Sequence, residues 1–253
     1  MKIDINSDLG EGYGRYQVAD DTEMLNLVSS ANIACGFHGG DPFIMDSVIK
    51  TCIKKDISIG AHPGFMDLWG FGRRVFTNYS QDELSAMITY QLGAISSLAK
   101  FNGTEVTHFK VHGALANLAA ENEMVSEAII KSVLKIDPDI IFVIPPFCIT
   151  EQMAVQSGLN VAREIFADRA YSDSGYLLSR SQEGAVIHDV KIAIERTIRS
   201  IKTNSITTIN GKILNTSIDS VCIHSDTPGS VSIATELRNA IKLAGIRIEK
   251  LSK

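Results

Sequence analysis

Clustered positive charge is missing from this chain. Its 24 Lys and Arg stand against 29 Asp and Glu, a formal net charge of −5, and the basic residues nowhere gather into a run. A nucleic-acid or anionic-membrane surface needs such a cluster, so neither is expected as a partner. No run of about 18 apolar residues exists, which excludes a transmembrane helix. The four cysteines, Cys35, Cys52, Cys148 and Cys222, have neither paired metal-site spacing nor the density of a disulfide scaffold. Reduced thiols in a cytoplasmic protein are the expectation, and because Met1–Ile5 already reads as a strand, so is the absence of a signal peptide. Two nucleotide signatures are missing as well. There is no Gly-x-x-x-x-Gly-Lys-Ser/Thr loop, so any ATP is bound unconventionally. Gly10–Glu11–Gly12–Tyr13–Gly14 has the wrong spacing for a dinucleotide fingerprint.

What is present is a repeating strand-then-helix pattern along 253 residues, a length that α/β barrels use as one domain. Strands are read at 2–6, 33–35, 57–63, 106–112, 140–144, 161–166 and 221–224. Helices are read at 20–30, 41–55, 80–100, 114–134 in one or two pieces, 148–157, 182–201 and from Pro228 onward. Asp41 reads as an N-cap with Pro42 at the first helical position, and Ser80 with Glu83 as a capping box. Asn210–Gly211, flanked by 206–209 and 213–214, signals a hairpin inserted near 206–215. Short apolar strands followed by helices predict a parallel sheet covered by helices. A seven-stranded α/β barrel over residues 1–253 is favoured over a doubly wound sheet, because polar residues end almost every strand rather than meeting at one switch point.

Those strand exits carry Asp4, Asn6, Asp8 and Glu11; His38 and Asp41; His62; His108, Lys110 and His112; Glu164, Asp168 and Arg169; and His224 and Asp226. The C-terminal strand ends of a barrel share one rim, where chemistry sits, and five of the six histidines fall there. His188 reads as a surface helix residue. Asp4, His108 and Lys110 read equally well as a satisfied internal polar network, which buried ionisable groups require. The cysteines read as packing residues.

Two chemistries fit the rim. In one, Asp8, His38 and His62 hold a divalent metal; carboxylate plus imidazole suits zinc or manganese, and the ion activates a water. In the other, Lys110, Arg73 and Arg74 face phosphate while an Asp or His handles protons around an amide bond. The glycine-rich turns at 10–14 and 36–40 offer backbone N–H groups to anions.

The motifs Asp4-Ile-Asn-Ser-Asp8-Leu-Gly-Glu11, Asn32-Ile-Ala-Cys-Gly-Phe-His38-Gly-Gly-Asp41-Pro, Gly60-Ala-His62-Pro-Gly, Gly70-Phe-Gly-Arg73-Arg74, Lys110-Val-His112-Gly-Ala-Leu, Phe166-Ala-Asp168-Arg169-Ala-Tyr171 and His224-Ser-Asp226-Thr-Pro run nearly end to end. In this order they resemble the LamB/YcsF family, whose members are A subunits of bacterial ATP-dependent 5-oxoprolinase. The resemblance implies a seven-stranded barrel of the glycoside hydrolase/deacetylase type. It implies opening of the 5-oxo-L-proline lactam to L-glutamate with ATP, Mg²⁺ accompanying the nucleotide, and partner subunits B and C. On that reading Asp8, His38, His62, Lys110 and His112 are catalytic candidates. Asn6, Glu11, Arg73, Arg74, Asp168, Arg169, His224 and Asp226 are candidates for binding substrate or phosphate, with Arg169 holding the substrate carboxylate. The wider superfamily includes metal-dependent polysaccharide deacetylases. Deacetylation of an acylated sugar, or a non-catalytic subunit that holds oxoproline for its partners, are the alternatives. Three positions depart from the family pattern: Val111 where Pro is usual, Ala116 where Tyr is common, and Ser225 where Gly is common.

Overall fold

The computed structural model describes residues 1–179, 182–227 and 229–253. In chain order the elements are β1 (Lys2–Leu9), α1 (Asp21–Met24), β2 (Ser30–Ala34), α2 (Pro42–Lys55), β3 (Ser58–His62), α3 (Gln81–Phe101), β4 (His108–Phe109), α4 (Gly113–Glu121), α5 (Glu123–Ile136), β5 (Ile141–Ile144), α6 (Ile149–Gln156), β6 (Asn160–Phe166), α7 (Val190–Thr203), β7 (Ser205–Thr207), β8 (Ile213–Asn215), β9 (Ser220–Cys222), α8 (Ser230–Leu243) and β10 (Arg247–Ile248).

Strands β1, β2, β3, β4, β5, β6 and β9 pair in parallel, each with the next, and β9 pairs back onto β1, closing a seven-stranded barrel. Beyond this ring, β10 pairs with β1 at Lys2 and Ile3, before β2 joins at Asn6. The antiparallel pair β7–β8 is the hairpin expected around Asn210–Gly211. Among the described residues no helix is long and apolar enough to cross a membrane.

Strand alternation divides the barrel chemically. Ile3 and Ile5 of β1 join the buried apolar residues of the helices, such as Ile49, Ile88, Leu92, Ile129, Leu237 and Ile241, in one core between barrel and helices. Fully burying each such side chain stabilises by about 1.5–3 kcal/mol. The other phase of β1 is polar, and Asp4, Asn6 and Asp8 meet polar residues of β2, β6 and β9, and Lys110 just past β4, inside the barrel. Gly60 makes room for this interior. A Cβ there would stand 2.1 Å from Nε2 of His108, its register partner, so only a residue without a side chain fits.

Several elements differ from the sequence reading. The helix expected at 20–30 is the single turn of α1. Ser29 and Ser30 are drawn instead onto the Asp4 carboxylate, at 2.7 and 2.6 Å, and β2 starts at Ser30. The strand expected at 106–112 is paired only at His108 and Phe109, although the N–H groups of Thr107, Lys110 and His112 still bond to the carbonyls of Ile59, Ala61 and Pro63. The helix expected at 182–201 begins at Val190, capped by Asp189. The segment before it is tied to the exit of β6, with Arg169 bridging Val186 and Ile187 N–H bonded to the Asp168 carbonyl. The last helix begins at Ser230 after Gly229; Pro228, where its start was expected, lies outside the described residues. Asp41, Pro42, Ser80 and Glu83 cap their helices as read.

Candidate functional site

A cavity of about 580 Å³ opens at the C-terminal ends of the strands, within the range that small-molecule sites occupy, about 300–1,000 Å³. Its lining includes Asp8, Glu11, His62, Arg73, Lys110 and His112, together with Glu164, Arg169, His224 and Asp226. Val111 and Ala116 line it too, so two of the three departures from the family pattern face the cavity. The third, Ser225, donates from its hydroxyl to the Asp8 carbonyl at 2.6 Å.

Beneath the cavity, register stacks the polar interior in tiers. Deepest is Asp4, bound by the hydroxyls of Ser29, Ser30 and Ser220. Burial raises its carboxyl from 3.8 to about 6, against the lowering effect of those hydroxyls. Above it Asn32 ties the barrel together. Its amide donates to Asn6 at 2.7 Å and to Asp8 at 2.9 Å, and its oxygen accepts from His108 Nε2 at 3.0 Å. Burial, and Lys110 nearby, lower His108 to about 3, so it is neutral. Asp4, Asn6 and His108 therefore lie in the interior scaffold rather than in the cavity lining, and the Asn6 amide is taken up by Ser220 and Glu164.

Lys110 belongs to both tiers. Its Nζ stands 3.1 Å from Asp8 Oδ1, 3.1 Å from Glu164 Oε2 and 3.1 Å from Cys222 Sγ. Burial disfavours its charge, but Asp8, Cys222 and Glu164 outweigh burial and hold the ammonium well above its ordinary pKa. Burial likewise opposes ionisation of Asp8, yet His62 and Lys110 keep it well below the ordinary carboxylate value. Glu164 is read from the sequence at a strand exit but given no role, and Cys222 and Asn32 are not among the candidates. The thiol against Lys110 has no local sequence signal.

At the rim, Glu11, His38, His62 and His112, all buried, bring four potential ligand atoms within 4.8 Å of one another. Glu11 Oε1 lies 3.1 Å from His38 Nε2, 3.3 Å from His112 Nδ1 and 4.0 Å from His62 Nε2. His62 Nε2 is 3.1 Å from His112 Nδ1 and 3.4 Å from Asp8 Oδ2. Burial disfavours a charged His62, and Asp8 and Glu11 outweigh burial, so positive charge is favoured at this point. Burial, with His112 alongside, pushes His38 down to about 3. The rings of His38 and His112 stack 3.7 Å apart, and Phe71 meets both edge-on. Phe71 itself adopts a left-handed backbone (φ 55°), uncommon for an aromatic residue, and its carbonyl accepts from His112 Nε2 at 2.8 Å. Next to it Gly72 (φ 62°) could carry no side chain, since a Cβ would stand 2.7 Å from both His38 and His112.

Of the remaining candidates, Arg73 lines the cavity and pairs with Asp226, with its guanidinium 5.0 Å above the Phe71 ring. Arg74 is not brought to the cavity and pairs with Asp67. Asp168 also lies off the lining. It binds His224 Nδ1 at 3.1 Å and so orients that imidazole, which stacks on Phe166. Arg169 lines the cavity and donates to the Leu178 carbonyl at 2.6 Å.

The LamB/YcsF family model matches residues 3–253. The chain belongs to the LamB/YcsF family. Among its relatives, the 5-oxoprolinase A subunit of Rhodopseudomonas palustris (strain BisB5) is 44% identical over 248 residues, which cover 98% of each chain. The crystal structure of the lactam utilization protein from Thermus thermophilus superposes with a TM-score of 0.93 at 38% identity, covering 98% of this chain and 99% of that one. A T48 deacetylase bound to substrate shares the fold alone, with a TM-score of 0.50 at 12% identity over 99% of this chain and 88% of its own. This LamB/YcsF barrel thus has a polar interior that ends in an open, charged cavity.

Proposed function

We propose that this LamB/YcsF chain is the A subunit of an ATP-dependent 5-oxoprolinase and acts on 5-oxo-L-proline at the cavity above Lys110. The observation that carries this reading is the full-length relationship to a protein named as the A subunit of 5-oxoprolinase. The lactam is a resonance-stabilised amide, so its opening is coupled to ATP, with Mg²⁺ accompanying the nucleotide. The γ-phosphoryl group is transferred to the lactam oxygen. Water adds to the activated carbon, and the C–N bond breaks as the ring nitrogen takes a proton, which leaves an acyl phosphate. A second water adds to its acyl carbon, so the C–O bond breaks and phosphate departs with the former lactam oxygen, leaving L-glutamate.

The charges on Asp8, Lys110 and Glu164 divide this work. Two carboxylates already neutralise Lys110, so it acts less as a phosphate clamp than as the cation that keeps Asp8 ionised. Asp8, on the cavity wall, accepts a hydrogen bond from the attacking water and orients it. Arg73 and Arg169 supply positive charge to the substrate carboxylate and the transferred phosphoryl group. His224, fixed by Asp168 at Nδ1, keeps Nε2 for a ligand. Subunits B and C complete the enzyme, in the cytoplasm.

The test is glutamate formation from 5-oxo-L-proline with ATP and Mg²⁺, with this chain alone and then with subunits B and C. Activity in the mixture, with ¹⁸O from labelled lactam appearing in phosphate, is expected. A mixture that makes no glutamate, or phosphate without label, counts against the assignment or the phosphorylation step respectively.

A further inference from the structure

The rim histidines differ in how their second nitrogens are used. His62 Nδ1 donates to the Lys110 carbonyl at 2.8 Å, and His112 Nε2 donates to the Phe71 carbonyl at 2.8 Å. A carbonyl oxygen only accepts, so each ring carries its proton on that nitrogen and, when neutral, has a bare lone pair on the other. Those lone pairs, His62 Nε2 and His112 Nδ1, face each other at 3.1 Å. Glu11 Oε1, a third acceptor, lies 3.3 Å from His112 Nδ1 and 4.0 Å from His62 Nε2. Three converging acceptors repel one another unless a proton or a metal cation sits among them. Backbone carbonyls that fix the distal N–H of two convergent imidazoles are the support that metal-binding histidines ordinarily have.

His38 behaves differently. Its Nδ1 is buried and has no hydrogen-bond partner, while its Nε2 lies 3.1 Å from Glu11 Oε1. The proton therefore belongs on Nε2, where it is donated to the carboxylate. His38 holds Glu11 in place and has no lone pair to offer the cluster.

We propose that Glu11 Oε1, His62 Nε2 and His112 Nδ1 form a site for one divalent transition-metal ion, open toward the cavity, with His38 positioning Glu11. Ligand atoms about 2.0–2.2 Å from one ion stand about 3–3.6 Å apart at right-angle or tetrahedral spacing. The 3.1 and 3.3 Å pairs fit that range, and the 4.0 Å pair closes by roughly half an ångström on binding. Asp8 Oδ2, 3.4 Å from His62 Nε2, borders the same point. Two imidazoles and a carboxylate suit zinc or manganese, and the cavity side leaves a position for water or substrate. This set differs from the one the sequence suggested: Glu11 and His112 enter, His38 moves behind Glu11, and Asp8 flanks.

The experiment reads metal, not turnover. The full-length chain is stripped with chelator, titrated calorimetrically with Zn²⁺ and with Mn²⁺, and assayed for metal after gel filtration. Co²⁺ provides a visible absorption spectrum. One ion per chain is expected. Glu11→Gln, His62→Ala and His112→Ala should each weaken binding by 100-fold or more. His38→Gln should retain the ion with about 10–100-fold lower affinity, as loss of a residue supporting a ligand does. His188→Ala, at a histidine outside the cluster, should bind like the parent. Circular dichroism identifies the variants that fold, and Glu11→Gln, nearly isosteric, keeps the test decisive if an alanine variant does not. Less than one ion per chain at saturation, or undiminished binding by folded Glu11→Gln or His112→Ala, overturns the proposal. Neither ATP, lactam nor another subunit is needed, so this outcome is independent of the oxoprolinase assay.

Discussion

Arg73 pairs through Nη2 with the Asp226 carboxylate, joining the loop after β3 to the exit of β9 on one cavity wall. The Arg73 side chain is 45% exposed, so the pair itself contributes about 0–1 kcal/mol. An anionic ligand can therefore open it with little loss. Asp226→Asn should change stability by less than about 1 kcal/mol in urea unfolding. Arg73→Gln should raise KM for 5-oxo-L-proline in the reconstituted enzyme about tenfold or more, the loss of one charge-assisted contact. An unchanged KM would remove Arg73 from substrate binding.

Lys110 answers to two carboxylates at 3.1 Å each. Lys110→Met leaves both buried beside an apolar chain, so stability should fall by about 3–5 kcal/mol. Adding Glu164→Gln removes one of the stranded charges and should restore part of the loss, a non-additivity that a double-mutant cycle in urea detects. Turnover should be abolished in the single variant. If it persists unchanged, Lys110 is scaffold only.

Asp4 sets a pH dependence at the other end of the barrel. Its ordinary value is 3.8 and burial raises it to about 6 in the folded protein. Folding therefore takes up a proton between those values. The stability this supports is complete below about pH 4 and is lost as the pH rises through 6, a span of about 3 kcal/mol. Asp4→Asn should flatten this part of the stability profile and, relative to the parent, gain stability between pH 4 and 7. Urea unfolding at unit pH steps would show it. A profile of unchanged slope would mean that Asp4 is not the group responsible.

Ala116 lines the cavity at a position where the family resemblance leads one to expect Tyr. Ala116→Tyr should reduce the free volume, lower KM for the five-membered lactam and raise it for six-membered analogues. A KM series over ring sizes tests this, and a uniform change would place the tyrosine away from the substrate.

Much of the barrel was legible because its signals are local. Alternation in Asp4–Ile5–Asn6–Ser7–Asp8 already separates polar interior from apolar core, and small-residue turns place His38 and His62 at strand exits. What was not legible depends on contacts between distant segments. Glu11 follows the end of β1, and no periodicity predicts its place among the histidines; Gly39 lets it pack there, since a Cβ at that position would stand 2.6 Å from the Glu11 carbonyl. Arg74 looks identical to Arg73 in sequence, and only the turn around Asp67 parts them. The shortened α1 likewise reflects a carboxylate far along the chain, Asp4, competing for Ser29 and Ser30.

Gly60 and His108 occupy what is in effect one residue's worth of space, since a Cβ on the first would stand 2.1 Å from a ring atom of the second. Over evolutionary time this makes the two positions a single heritable unit. A lineage can enlarge residue 60 only after residue 108 has shrunk, so the positions should co-vary across descendants of a common ancestor. A library randomised at residue 60 alone would return almost nothing but glycine, whereas one randomised at both positions would uncover exchanged pairs.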